Sequence, residues 1–361
     1  MAGQKKIKSL QIVIFSILLL AVSAGMFGVS RWIPETAQWY AQHIYPVFVS
    51  VIGRISGIFP FSVAEILVYI LILALMVSMI RFFVKLVRKK GSARYMAVFG
   101  YRVLFLISVL FFLYVINCGV NYSRVSFSES AGIEVESYTK ADLVRVCQML
   151  TDDVIRYAKE VKREKDGVAV LNGDVNKEAI AAMHLLGESY PEMKGYYPRA
   201  KGLLTSQFLS IQNLSGIYIP VTIEANYNAD MTDYNIPFTV CHELSHLRGF
   251  MQEEEANFIA YLACMESEDS MFRYSGSMLG WIYCTNVLQK YDHEAYQELR
   301  ARLPEETEAD LRANRKFWAK YEGKIAEVSN MVNDTYLKAN GQQDGVESYD
   351  RMVDLLVTVK K

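Results

Sequence analysis

His242, Glu243 and His246 stand at HExxH spacing and are the residues of this chain best suited to chemistry. On a helix, residues four apart stack on one face, so both imidazoles can address one ion while Glu243 stands beside them. That is the pattern of a zincin, with two zinc ligands and a general base for hydrolysis. A catalytic Zn2+ takes three protein ligands and leaves one position open, so a third ligand must come from nearby. In the metzincin pattern HExxHxxGxxH, Gly249 is in place, but Gln252 stands where the third histidine belongs and is a poor zinc ligand. The gluzincin template instead takes a glutamate from ExxAD or ExxSD on the following helix. Glu253-Glu254-Glu255-Ala256-Asn257 is similar, with Glu253 as metal ligand and Asn257 in the place of the aspartate. Asn257 then accepts a hydrogen bond from an imidazole N–H without adding charge. Glu255 is the alternative ligand. Gly249 suits the tight turn that must return the second helix to the metal.

Other chemically able residues have plainer readings. His184 has no ligand partner in sequence and reads as structural. His293, after Asp292, reads as a surface helix start before it reads as an oxyanion stabiliser. Cys241 points away from the metal side of its helix and reads as core. The polar stretch from Tyr336 to Tyr349 reads first as a capped turn, although Tyr336, Lys338 or Tyr349 could reach the cleft and steady developing negative charge.

The elements that position these residues follow from periodicity and punctuation. Thr139 caps a helix reaching about Glu164, and Asp174 begins another that ends near Tyr190-Pro191. Gln207 to Ile211 and Gly216 to Asn228 read as two strands, and Pro220 makes the second an edge strand. Such an edge is where zinc proteases hold an extended peptide. After the motif the chain reads as helices over about Glu253 to Glu266, Ser275 to Lys290, Pro304 to Ala339 and Glu347 to Val359. The fold class is therefore α+β and mostly α, with a small edge sheet.

Before residue 120 the chain is of another kind. Leu10 to Val29 and Val103 to Ser123 carry no charge, and Phe61 to Val84 is nearly as apolar. Each is long enough to cross ~30 Å of hydrocarbon as a helix. Lys5, Lys6 and Lys8 precede the first, and Arg81, Lys85, Arg88, Lys89, Lys90, Arg94 and Arg102 surround the loop between the second and third. Both clusters belong in the cytoplasm, which the two crossings between them allow, and the third span then delivers everything after about residue 120 to the outer face. Two alternatives exist: a cleavable leader ending at Val22-Ser23-Ala24, and a further span over Ile44 to Pro60. The second puts the basic clusters on opposite sides, so residues 31–60 read as an outer loop on or re-entering the membrane surface. A net charge of −1 gives no ground for nucleic-acid binding. Five cysteines with no CxxC pair read as buried thiols.

The segments HELSHLRGF, EEEANFIAYLAC and YLKANGQQDGVESYDRMVDLL, with IPVTIEANYN and PFTVCHELSH before them, resemble the bacterial membrane-protein family known as domain of unknown function 3810, over nearly the whole chain. The resemblance implies a zincin-like metallopeptidase held in the cell membrane. The expectation is a membrane part over residues 1–120 and an extracytoplasmic part over 121–361, with a peptide or protein substrate and the lipid bilayer as partners. Competing readings are a membrane sensor or scaffold that keeps zinc without turnover, since Arg248 and Asn257 depart from the usual pattern, and a zinc hydrolase of cell-wall peptides.

Overall fold

A computed structural model describes residues 2–88, 92–342 and 351–361. The chain is mostly helical with one small mixed sheet. It opens with α1 (Ala2–Trp32), α2 (Pro34–His43), α3 (Tyr45–Gly57), α4 (Val63–Val87) and α5 (Ser92–Tyr114). Three stretches, Leu10–Trp32, Val63–Val87 and Tyr95–Ser123, are long and apolar enough to cross a membrane. In α4 only Ala64 and Glu65 are buried, so apolar side chains point outward all round. The third stretch does not stay α-helical. Val115–Gly119 widens into a π turn and Val120–Ser123 tightens into a 3-10 turn, burying Asn117 and Asn121 completely. The Ile44 to Pro60 segment is largely α3, whose 13 residues make about 20 Å of helix, too short to span ~30 Å. It buries Tyr45, Val49, Gly53 and Ser56 and leaves Val47, Val51, Ile55 and Ile58 exposed.

Next come α6 (Phe127–Ser130), α7 (Lys140–Ala158) and α8 (Val175–Ser189). Thr139 and Asp142 form a capping box on α7, and Asp174 caps α8. α7 ends at Ala158, short of the expected Glu164. Then follow β1 (Lys201–Gly202), α9 (Gln207–Ile211), β2 (Gly216–Ile219) and β3 (Glu224–Tyr227). Two strand expectations are corrected here. Gln207–Ile211 is helical: Phe208 N–H donates to Thr205 O, and Leu209 and Ser210 N–H both donate to Ser206 O. Gly216 to Asn228 is a hairpin and not one strand. Pro220 has no N–H for a ladder, Ile223 turns at φ +50°, and the chain returns with Ile219 opposite Glu224 and Gly216 opposite Tyr227. The strand order is β1-β3-β2, so β2 is an edge.

The remainder is α10 (Ile236–Leu247), α11 (Glu253–Glu266), α12 (Ser270–Tyr291), α13 (His293–Ala301), α14 (Glu305–Trp318), α15 (Lys324–Ala339) and α16 (Arg351–Lys360). The single helix expected over Pro304 to Ala339 is two, divided before Gly323 at φ +155°. α13 begins at His293, where a surface helix start was expected, and α12 begins at Ser270, five residues before the expected Ser275. Of the expected helix from Glu347, residues 343–350 lie outside the described residues. The core lies where α7, α8, α10, α11, α12 and α16 meet, and all five cysteines are buried.

Candidate metal centre

α10 is a core helix. Every residue except His242 is buried, so its polar side chains have to find partners inside the protein. It ends in a Schellman motif: Phe250 N–H donates to Ser245 O and Gly249 N–H to His246 O, with Gly249 at φ +89°. The chain reverses there and α11 starts within reach of the histidines. Glu253 opens α11, where the positive end of the helix dipole favours a carboxylate.

The result is one cluster. Glu253 Oε2 lies 3.3 Å from His242 Nε2, and Glu253 Oε1 lies 3.5 Å from His246 Nε2. Ligand atoms of the three residues all fall within 4.8 Å of one another. The two rings stand 4.6 Å apart at 87°. The outer nitrogens are fixed: His242 Nδ1 donates to Asn257 Oδ1 at 2.9 Å, and His246 Nδ1 donates to the Phe250 carbonyl at 2.8 Å. That leaves both Nε2 lone pairs facing Glu253. Burial drives His246 down to about 4, whereas for His242 the hydrogen bond and charge of Glu253 outweigh burial and raise it.

Glu243 is buried beside the cluster, and its Oε2 has no hydrogen-bond partner. Burial pushes this carboxyl up to about 8, against the opposing charge of His242. β2 crosses directly over it: a Cβ at Gly216 would run into the Glu243 carboxylate, so only glycine fits there.

The other sequence candidates fall elsewhere. Glu255 turns away from the histidines and accepts from Ser128 N–H at 2.9 Å and Ser128 Oγ at 2.5 Å, at the start of α6. Gln252 caps α11 and donates to Tyr122 O at 3.4 Å. His184 is exposed and edge-on to Tyr197. His293 is exposed on α13 and pairs with Gln297. Cys241 is buried against Cys264. Tyr336 packs edge-on against Tyr114 and Tyr122, while Lys338 is largely exposed and paired with Asp334 at 2.7 Å. Tyr349 lies outside the described residues.

Sequence reasoning missed the wall behind the cluster, which the N-terminal segment supplies. Tyr45 Oη donates to Leu247 O at 3.0 Å and meets Tyr218 Oη at 3.0 Å, and the Tyr218 hydroxyl lies 3.2 Å from Asn117 O. Asn117 Nδ2 donates to Pro220 O at 2.9 Å, and Arg124 Nη1 to Arg248 O at 3.1 Å. The signal was available: asparagines inside an apolar span are costly unless they serve a purpose. Tyr283 on α12 is a second omission, with burial and then the charge of Glu253 raising its hydroxyl.

Among the described residues, fold and cluster together define a mostly helical chain with three membrane-length helical stretches and a partly buried His–His–Glu cluster beside a strand at the sheet edge. The chain belongs to the family described as Protein of unknown function (DUF3810), whose model matches residues 40–357. No curated protein and no solved structure matches it.

Proposed function

We propose that this is a zinc-dependent metallopeptidase of zincin-like, gluzincin type, anchored in the cell membrane by three spans with its site on the extracytoplasmic side. The observation that carries the reading is the convergence of His242, His246 and Glu253 with the unpartnered oxygen of Glu243 beside them. Two imidazole nitrogens and one carboxylate oxygen suit zinc and leave a fourth position open. The fit extends outward, because Asn257 and the Phe250 carbonyl hold the distal nitrogens as zinc-binding histidines require.

When bound, zinc supplies Lewis acidity that eases deprotonation of water and polarises a carbonyl. Glu243 takes the proton from water at its free oxygen and returns it to the leaving amine. Burial raises the proton affinity of this carboxyl, and the positive charge of a bound zinc would oppose that rise. The open edge of β2 holds an extended peptide by strand addition, with Gly216 letting the backbone pass close to the carboxylate. The C-terminal ends of α1 and of the third apolar stretch and the N-terminal end of α4 contact the site-bearing part, and in sequence the basic clusters flank the opposite ends. The positive-inside rule then puts the site outside.

The test is zinc content and peptide hydrolysis of the purified protein with and without Glu243→Gln. Stoichiometric zinc in both and hydrolysis only in the wild type supports the reading. Absence of zinc, or equal hydrolysis by both, rules it out. A sensor that keeps zinc without turnover gives zinc in both and hydrolysis in neither.

A further inference from the structure

Resting on the hydrolase reading above, we infer that the site works at the bilayer surface on membrane-anchored polypeptides, cutting them close to where they leave the lipid. The geometry lies in how the loop between β1 and β2 is held. Glu65, in the first turn of α4, accepts from the backbone N–H groups of Leu204 and Thr205 at 2.9 and 2.8 Å. Tyr69, one turn further along α4, is hydrogen-bonded to Thr205 Oγ1. Tyr69 is six residues past Val63, about 9 Å along the helix axis. The loop therefore lies alongside the opening turns of an apolar helix that exposes Leu67, Val68 and Ile70. Glu224 closes the same joint from the sheet, accepting from Val63 N–H at 3.0 Å and Ala64 N–H at 2.9 Å.

The side chains at this loop suit lipid. Leu204 is 69% exposed and Phe208 58%, and no charged residue occurs from 202 to 223. Ile58 and Phe59, just before α4, continue the exposed apolar surface. Water disfavours such a patch, and the lipid around α4 is the occupant that continuity with the span supplies. A charge anywhere in the loop would be expensive there, which accounts for its absence.

The immersed loop runs straight into the substrate strand. Asn228 Nδ2 donates to Ser210 Oγ at 2.9 Å and Ala229 N–H to Ser206 Oγ at 2.8 Å, so α9 is fixed to the end of β3. Gly216, over Glu243, follows Phe208 by eight residues, at most about 28 Å of extended chain. A polypeptide emerging from lipid beside Phe208 therefore reaches Glu243 within about eight extended residues. An anchored chain begins where the strand begins, whereas a soluble one has to approach along the membrane.

The experiment uses the full chain in lipid vesicles with a substrate made of one apolar membrane helix followed by identical cleavable repeats. Wild type is expected to cut the membrane-proximal repeats roughly tenfold more often than the distal ones. The double variant Leu204→Ser, Phe208→Ser is expected to lose that preference and still cut an unfolded soluble protein. Equal cutting of all repeats by wild type overturns the inference. Cutting of nothing, soluble chain included, defeats the hydrolase reading and with it the substrate class. The lipid contact is judged separately with an environment-sensitive fluorophore on Phe208→Cys, selective because the native cysteines are buried. Quenching by nitroxide-labelled lipid supports immersion, and quenching by aqueous iodide overturns it.

Discussion

Buried carboxylates occur in two settings in this molecule, and their hydrogen bonding separates them. At the joint between α4 and the sheet, Glu65 and Glu224 each accept two backbone N–H groups at 2.8–3.0 Å. At the cleft, Glu243 is as deeply buried, yet its Oε2 has no partner. A buried carboxylate that accepts several N–H groups joins elements together, because its charge is solvated by the protein. One left partly unsatisfied is a cost to folding, and it persists where the free oxygen has a task. The contrast separates Glu65 and Glu224 from Glu243 without reference to motif, and it is consistent with the role proposed for Glu243.

The largest expected effect that can break this comparison is on Glu243. Glu243→Gln should lower peptide hydrolysis by about 10²- to 10⁴-fold, read as initial rates on an unfolded protein, with zinc content unchanged. Thermal unfolding in detergent should change little, because the amide keeps the shape of a carboxyl whose Oε2 makes no hydrogen bond. A large loss of stability would place Glu243 among the structural carboxylates. Glu224→Ala should behave oppositely. It strands the Val63 and Ala64 N–H groups at a helix start, where no intrahelical acceptor exists. The cost should be about 2–4 kcal/mol in denaturant unfolding, with hydrolysis per folded molecule retained.

The same comparison explains what sequence could and could not disclose. The helices that carry the cluster were legible because HExxH and the ExxAN run are local: a helical period and one glycine turn bring His242, His246 and Glu253 together. The three apolar stretches were legible for the same reason. The joint was not, because Glu65 and Glu224 lie 159 residues apart and neither type nor spacing marks them as sharing a surface. Nor was the Tyr45, Asn117 and Tyr218 wall, which depends on α3 and the π turn folding back on the hairpin. Gln207–Ile211 was misread as a strand because five residues with three apolar side chains carry too little period to separate strand from helix turn. The hairpin was misread because Pro220 was weighed as an edge marker and not as the start of a turn completed by Ile223 at positive φ.

Smaller effects sharpen the contrast within the cleft itself. Asn257→Ala should weaken zinc binding by about 10- to 100-fold in competition with a chelator, since it frees the His242 ring, and Asn257→Asp should restore or tighten it. The finest discrimination lies in the first turn of α11, where Glu253 and Glu255 stand two residues apart with opposite surroundings. Glu253 faces two imidazoles and its removal should abolish stoichiometric zinc. Glu255 has both oxygens engaged by Ser128, so its charge is already solvated and unavailable to a metal. In Glu255→Gln the amide oxygen can still accept from Ser128 N–H and the NH2 can donate to Ser128 Oγ, so a charge-assisted hydrogen bond is replaced by a neutral one. Stability should fall by about 1 kcal/mol in denaturant unfolding, with zinc content and hydrolysis unchanged. If zinc were lost instead, Glu255 would be reaching the metal in solution, and the rule that a fully satisfied carboxylate is structural would fail at the position where it is easiest to check.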